Sequence, residues 1–361
     1  MLFTCAPAAR AASRASSRKI VKKGNRSFAV DLHCHVHTPA ADELAKSAYD
    51  PAGDPSIYFA NQRSREYNRE QRRKLDPQLT SVEKRLADMD KMGIDVQAIS
   101  TSPFQYYYSL DPDLTRQTAR IVNQRLAEVA ASHPDRFVAL CTVPLQSTEL
   151  AVAELEYCMT KLGFRGVEIG TNVHGEELSA ARLDPFFAKA EALGAVVFMH
   201  PHGFTHAQRF ADHYLTNVIG NPLDTTVALS HLVFGGTIER HPKLKIVAAH
   251  GGGYLAHYSA RMDHAYRVRP ECHDHLKHPP TWSLKKVYFD TMVFSHLQLE
   301  HLVRTWGADH VVIGTDYPYD MGYYKPVDFV NGAKALSRAQ KDAIIGGNAA
   351  KLLKLKVPKK K

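Results

Sequence analysis

Between Ala29 and Pro39 the chain reads AVDLHCHVHTP, which sets His33, His35 and His37 at alternate positions. Alternate residues of a strand share a face, so His33 and His35 would point together. Two neutral imidazoles side by side can hold a metal ion if the chain supplies further ligands. One pair among 20 histidines decides little. The ends of other apolar runs decide more: AVVFMH stops at His200, KIVAAH at His250 just before Gly251-Gly252-Gly253, and VVIGTD at Asp316. Histidines that merely satisfy a core would not gather in register at strand ends. The pattern is that of a metal site in which a titratable group can also move a proton. His37, one step beyond the pair, is expected to have left the strand and to play a lesser part.

These side chains need a scaffold that brings distant strand ends together. Short apolar runs at 28–33, 95–101, 137–142, 166–170, 195–200, 245–250, 287–291 and 311–315 read as strands, with helical stretches between them. Thr80 with Glu83 reads as a capping box before KRLADMDKM, and Gly93 as the stop. Asp184-Pro185 and Asn221-Pro222 each read as an N-cap followed by proline. Leu155, Cys158, Met159 and Leu162 recur at three and four spacing, a core-facing helix stripe. Eight strands alternating with helices predict an α/β fold, a (β/α)8 TIM barrel with a long insertion after strand 1. A doubly wound open sheet is the alternative, weakened because no G-x-G-x-x-G or Walker loop follows an early strand. In a barrel, active sites gather at the C-terminal strand ends, where all the residues above fall. The insertion at 38–79 contains NQRSREYNREQRRK, mostly a solvated helical face. It would overhang the mouth, where one of its arginines could reach an anionic substrate.

Composition limits the remaining choices. The 361 residues, 44% hydrophobic and 23% charged, suit one large soluble domain. No apolar run is long enough to span a membrane. Five scattered cysteines without CxxC spacing suggest reduced thiols in a cytoplasmic setting. The net charge of +9 invites a nucleic-acid partner, but its distribution does not. Residues 1–26 hold seven basic and no acidic residues, and 349–361 hold six lysines and no acid, so the body between them is mildly acidic. The expectation is a single catalytic domain at 27–354, a basic disordered extension at 1–26 and a basic tail at 355–361, with no nucleic-acid or membrane partner. In a eukaryote the acid-free leader would also suit an organelle transit peptide.

The strand-end set resembles the amidohydrolase superfamily, whose ligand order is HxH on the first strand, His on the fifth and sixth, and Asp on the eighth. RFVALCTVPLQSTELAVAEL, GFRGVEIGTNV, AHGGG, FDTMVFSHLQLEHLV and IGTDYP are similar to the branch containing 2-amino-3-carboxymuconate-6-semialdehyde decarboxylase. The resemblance runs from about Ala29 to Lys354. It implies one divalent ion, zinc with manganese as the alternative, held by His33, His35, His200 and Asp316. His250 would then be the acid/base beside it, with Asp316 serving catalysis as well. GVEIG on strand four offers no lysine to carbamylate and bridge two metals, although Glu168 could admit a second ion. Arg261 aligns with an arginine that such decarboxylases use across a dimer interface, which implies a homodimer with a composite site.

Two departures lie in substrate-facing loops. LDP at Leu75–Pro77 stands for a WDP-like turn, with Asn68 and then Arg69 near the place of the expected arginine, and His202 stands where Trp is usual. Arg69 and His202 are therefore candidate substrate contacts. Tyr106, Tyr107 and Tyr108, with Phe204 and Tyr317, suggest a flat aromatic or dienoic acid. HPHGF lacks the carboxylate that deaminases place after strand five. The expected activity is non-oxidative decarboxylation of a hydroxy- or amino-substituted aromatic or muconate-like acid, with hydrolysis of a lactone or amide as the alternative. A metal-storage role would not require a free base at His250.

Overall fold

The structure, a computed structural model, describes residues 26–357. Eight parallel strands form its centre: β1 (Val30–Val36), β2 (Val96–Thr101), β3 (Phe137–Cys141), β4 (Gly166–Ile169), β5 (Val196–Met199), β6 (Lys245–Ala248), β7 (Tyr288–Asp290) and β8 (Val311–Val312). They pair in sequence order, and β8 returns to β1 through Leu32 N–H to Ile313 O (2.9 Å) and His35 N–H to Tyr317 O (2.8 Å). This is the expected (β/α)8 barrel. A two-stranded ribbon, Asn172–Val173 with Glu176–Glu177, lies outside it.

Two apolar layers explain the closure. Val30, Leu32, Val96, Ala98, Leu140, Phe198, Val247 and Val312 fill the lower barrel, and Leu355 packs beneath them. Alternate residues such as Cys34, Ile99, Val167, Val197 and Ile246 face outward against the helices. The alternation slips once. Asp31 pairs with Gln97 but Cys34 with Ile99, so β1 carries one extra residue there. This bulge lets Leu32 join the apolar interior while His33, its neighbour, also turns inward. Above the bulge, His33 and His35 share the inner face as their spacing predicted.

Several local expectations shift by a residue. The cap of the helix Val82–Met92 is Ser81, whose Oγ accepts from Lys84 N–H (3.2 Å), while Thr80 belongs to the preceding helix. Gly93 ends the helix in the left-handed region. Asn221 is inside its helix, Gly220–Phe234, and its side chain accepts from Gly203 N–H (2.9 Å) in the loop after β5. Asp184 is likewise the first helical residue, with its carboxylate on Arg240 Nε (2.8 Å). Residues 1–25 and 358–361, the greater part of the expected basic extensions, lie outside the described residues. Arg26 belongs to the body, with its guanidinium forked onto Asp95 (2.9 and 2.5 Å).

Candidate active site

The C-terminal ends of β1, β5, β6 and β8 bring five side chains together. One ligand atom each from His33, His200, His250 and Asp316 lie within 4.8 Å of one another, the only such cluster among the described residues. His35 joins them, its Nε2 standing 3.2 Å from Asp316 Oδ1, beside His33 Nε2 at 3.3 Å. His250 Nε2 faces the other oxygen, Oδ2, at 3.6 Å. His33 Nε2, His35 Nε2, both His200 nitrogens, His250 Nδ1 and Asp316 Oδ1 are buried without a hydrogen-bond partner. Buried polar atoms are nearly always paired, and leaving one unpaired costs about 1–3 kcal/mol. One nitrogen each from His33, His35 and His200 with an oxygen of Asp316 fit a divalent cation with nitrogen and oxygen ligands.

The charge states of His200 and Asp316 fit as well. Burial pushes His200 well below the usual imidazole range, with His35 and His33 adding to it, so His200 is a neutral imidazole with one ring nitrogen free to ligate. Burial alone would raise Asp316, but the His33 imidazole and hydrogen bonds from its neighbours hold it well below the usual carboxylate range. Burial would also lower His33, yet Asp316 and the bond to Asp290 outweigh it and lift it to about 10 when only protein groups surround it.

Asp290, at the end of β7, positions much of this set. Its Oδ2 accepts from His33 Nδ1 (2.6 Å) and from the His250 backbone N–H (3.0 Å). Its Oδ1 accepts from Gly251 N–H (2.8 Å) and Met292 N–H (3.0 Å). His35 Nδ1 meets Thr101 O (2.9 Å), so both β1 histidines turn Nε2 to the centre. The buried Arg85 guanidinium caps the His35 carbonyl. His250 and Asp316 both have positive φ, 55° and 54°, the left-handed region that side chains other than glycine seldom adopt. Gly251 follows at 61° and packs so closely that a Cβ would stand 2.4 Å from Val293. Asp290 was missed in the sequence, although VYFD ends in a carboxylate just as VVIGTD does.

Above the centre is a cavity of about 290 Å³, with His200 and Asp316 at its foot. An engineered cavity of about 150 Å³ holds benzene, so this one suits a single substituted ring. The insertion roofs it with the helix Gln62–Thr80, from which Arg65, Asn68, Arg69 and Arg72 line the wall at helical spacing. Arg72 lies over the Phe104 ring (5.0 Å) and near Asp42 (3.4 Å), and Arg65 donates to Tyr58 O (2.7 Å). Arg69 has no hydrogen bond or ion pair among the described residues.

Of the expected substrate contacts, Arg69 and His202 line this cavity. The His202 ring stands edge-on to Phe104 (4.7 Å), its Nε2 2.7 Å from the buried Asp54. Phe204 is not in the cavity wall and packs with Phe210 (6.1 Å). Tyr317 requires correction. It points out of the barrel under the Arg85 guanidinium, with its hydroxyl on Asp88 (3.0 Å), because it follows inward-facing Asp316. The ring that lines the cavity from this strand end is Tyr319, 5.4 Å from His35. Tyr106, Tyr107 and Tyr108 line a smaller space of about 80 Å³ on the far side of Phe104 and His202. Glu168 is committed elsewhere than to a second ion: burial raises it, its Oε1 accepts from Tyr106, and the nearest imidazole nitrogen is already bonded to Thr101. His37 pairs with Asp42 (2.9 Å), away from the centre. Arg261 is exposed on the helix Ala260–Val268, outside the cavity wall of its own chain.

Fold and site together define a metal-dependent barrel enzyme. The chain belongs to the amidohydrolase family, matched over residues 30–355, in the branch of metal-dependent decarboxylases. It is 31% identical over 333 residues to 2-amino-3-carboxymuconate-6-semialdehyde decarboxylase of Dictyostelium discoideum, covering 91% of this chain and 92% of that one. Among solved structures it is similar to 5-carboxyvanillate decarboxylase of Sphingomonas paucimobilis, with a TM-score of 0.81, 25% identity, and 92% and 100% of the two chains covered. A dihydroxybenzoic acid decarboxylase of Polaromonas sp., solved with bound manganese, shares the fold at a TM-score of 0.78 and 24% identity, over 91% and 97% of the chains.

Proposed function

We propose that the protein is a non-oxidative decarboxylase of a hydroxy- or amino-substituted aromatic carboxylic acid. The observation that carries this is the group of unpaired ligand atoms at the foot of a ring-sized cavity roofed by arginines. His33, His35, His200 and Asp316 would hold the ion, zinc or manganese. His33 and His35 are fully buried with Nδ1 engaged, so each offers only Nε2 inward. When bound, the ion supplies positive charge that fixes a substrate oxygen and draws electron density toward it.

His250 lies close enough to count among the ligands, but its setting differs. Its side chain is 16% exposed, and nothing pins its Nδ1, which suits proton exchange better than permanent ligation. A proton passed from His250 to the carbon bearing the carboxylate makes that carbon tetrahedral. The C–C bonding pair then returns to the ring as CO2 leaves, which avoids a bare carbanion. Arg69 is placed to pair with the substrate carboxylate or a second anionic substituent. Arg261, outside its own cavity, would serve the partner's site in a homodimer, and the reduced cysteines suit a cytoplasmic setting. Hydrolysis has no specific observation in its favour.

The test is CO2 release from a panel of ortho-hydroxy and ortho-amino aromatic acids and muconate acids, with metal-loaded protein. Release from at least one ring acid, abolished by chelation and restored by zinc or manganese, is expected. Hydrolysis of lactones or amides with no CO2 from any acid would overturn the proposal.

A further inference from the structure

The opposite end of the barrel carries a second feature, independent of the reaction. Residues just before each strand of a parallel barrel share its N-terminal face, turned away from the active site. There Lys161 and Arg165 precede β4, Lys243 precedes β6 and Lys285 precedes β7, all exposed. None of the four has an ion pair among the described residues, and they outnumber the acids on the same face, exposed Asp135 before β3 and Asp309 before β8, with Glu191 accepting from the Lys243 backbone N–H (2.6 Å). The last helix ends at the same face, adding exposed Lys351, Lys354 and Lys356. The Nζ atoms of Lys354 and Lys245 come within 3.6 and 3.7 Å of the point where a Cβ on Gly194 would stand. Both ammonium groups thus lie against Gly194, whose carbonyl accepts from Lys245 (3.1 Å). Burial and Lys354 both depress Lys245, the mark of like charges lacking a counter-ion.

The chain also enters and leaves here. Arg26 sits on Asp95 just before β2, and Leu355 packs under the lower barrel. The described chain thus begins and ends at a face already rich in cations. The body as a whole is mildly acidic, so this concentration is local.

We propose that this N-terminal barrel face is a docking surface for an anionic lipid membrane. The face is the blunt end of a barrel, which fits a plane better than a groove. Val357, 49% exposed among the terminal lysines, adds an apolar contact that a headgroup layer accepts and a nucleic-acid backbone does not. Docked in this way, the protein keeps its cavity open to solvent on the far side. Such docking departs from the expectation of no membrane partner, which rests on the lack of a spanning apolar run and does not address charge on one face.

Flotation of the full chain with vesicles of neutral phosphatidylcholine, with and without about one-third phosphatidylserine, tests it. Binding is expected only to the anionic vesicles and should fall steeply as salt screens the surface. The triple variant Lys161→Gln, Lys243→Gln, Lys285→Gln should partition about a hundredfold more weakly, since each lysine near the surface contributes comparably. Its decarboxylase turnover and melting midpoint should match wild type, which shows that it folds. Equal binding to neutral vesicles, no binding to either, or undiminished binding by the triple variant overturns the proposal. So does tighter binding to a DNA duplex than to the anionic vesicles at the same salt.

Discussion

Replacing Asp290 with Asn tests how this centre is held without touching a proposed ligand. The carboxylate accepts four donors: His33 Nδ1 (2.6 Å), His250 N–H (3.0 Å), Gly251 N–H (2.8 Å) and Met292 N–H (3.0 Å). An amide oxygen in place of Oδ1 keeps the last two. Its NH2 then confronts His33 Nδ1 and the His250 N–H, which are donors themselves. His33 can accept from the amide only by moving its proton to Nε2, which removes the lone pair it turns toward the centre. The His250 N–H stays buried without an acceptor, at about 1–3 kcal/mol, and a charge-assisted bond worth roughly 1.5–3 kcal/mol is lost. Unfolding in urea should therefore show the metal-free variant about 2.5–6 kcal/mol less stable. Titration with zinc or manganese should show affinity lowered by at least about 10–100-fold. A variant with wild-type stability and metal affinity within about threefold of wild type would refute the idea that Asp290 fixes His33 and the His250 turn.

Other perturbations separate roles that geometry alone places side by side. His250→Asn should retain about one metal per chain while turnover falls by about 10²–10⁴, whereas Asp316→Asn should lose metal and rate together; metal analysis beside kcat decides, and metal loss in the first variant would make His250 a ligand. Asp224, in the helix behind the cavity, is pushed from 3.8 up to about 7, chiefly by burial, against hydrogen bonds from Thr171 and Asn172. Its folded-state value is raised, so wild type is favoured below about pH 4 and loses stability as pH rises toward 7. Asp224→Asn should gain on wild type by up to about 4 kcal/mol between pH 4 and 8 in urea unfolding, and a pH-independent difference would contradict this. Adding metal at about a thousand times its Kd to chelated protein should raise stability by about 4 kcal/mol; an unmoved midpoint would mean that the orphaned ligand atoms are not where the ion binds.

The barrel was legible because each strand is a short apolar run closed by a polar residue, and that punctuation survives in the sequence. Six metal-centre and brace groups, His33, His35, His200, His250, Asp290 and Asp316, sit at such ends, and all but Asp290 stand out in the sequence. Asp290 closes a strand of three residues, Tyr288–Asp290, too short for its carboxylate to stand apart from an ordinary loop start. Tyr317 neighbours Asp316 in the sequence, but Asp316 is left-handed (φ 54°), and Tyr317 turns outward to Asp88 while Tyr319 faces the cavity. The β1 bulge is equally invisible in one dimension. It depends on β2 offering a single residue, Ala98, opposite Leu32 and His33. Arg65, Asn68, Arg69 and Arg72 show helical spacing in the sequence, but the side of the helix that meets the barrel is set by the contacts of the whole insertion. Asp54 against His202 and Asn61 N–H on Ala211 O (3.3 Å) are among them.

Those contacts join two parts of the chain that would otherwise be free to separate over the mouth. The loop after β5 carries His202, and the insertion after β1 carries Asp54. Gly203 has φ +81° and lies so near that a Cβ would stand 2.7 Å from Ser56 N. Only glycine permits this approach, and it brings the insertion down onto the loop that follows His200. The residue that replaces the usual tryptophan is thus not an isolated change. His202 meets the buried Asp54 through Nε2 (2.7 Å), and the pair stands beside Phe104 in the cavity wall. On the proposed function, substrate choice would rest on the insertion and the β5 loop together, since both line the cavity, while the chemistry would rest on the strand ends beneath them.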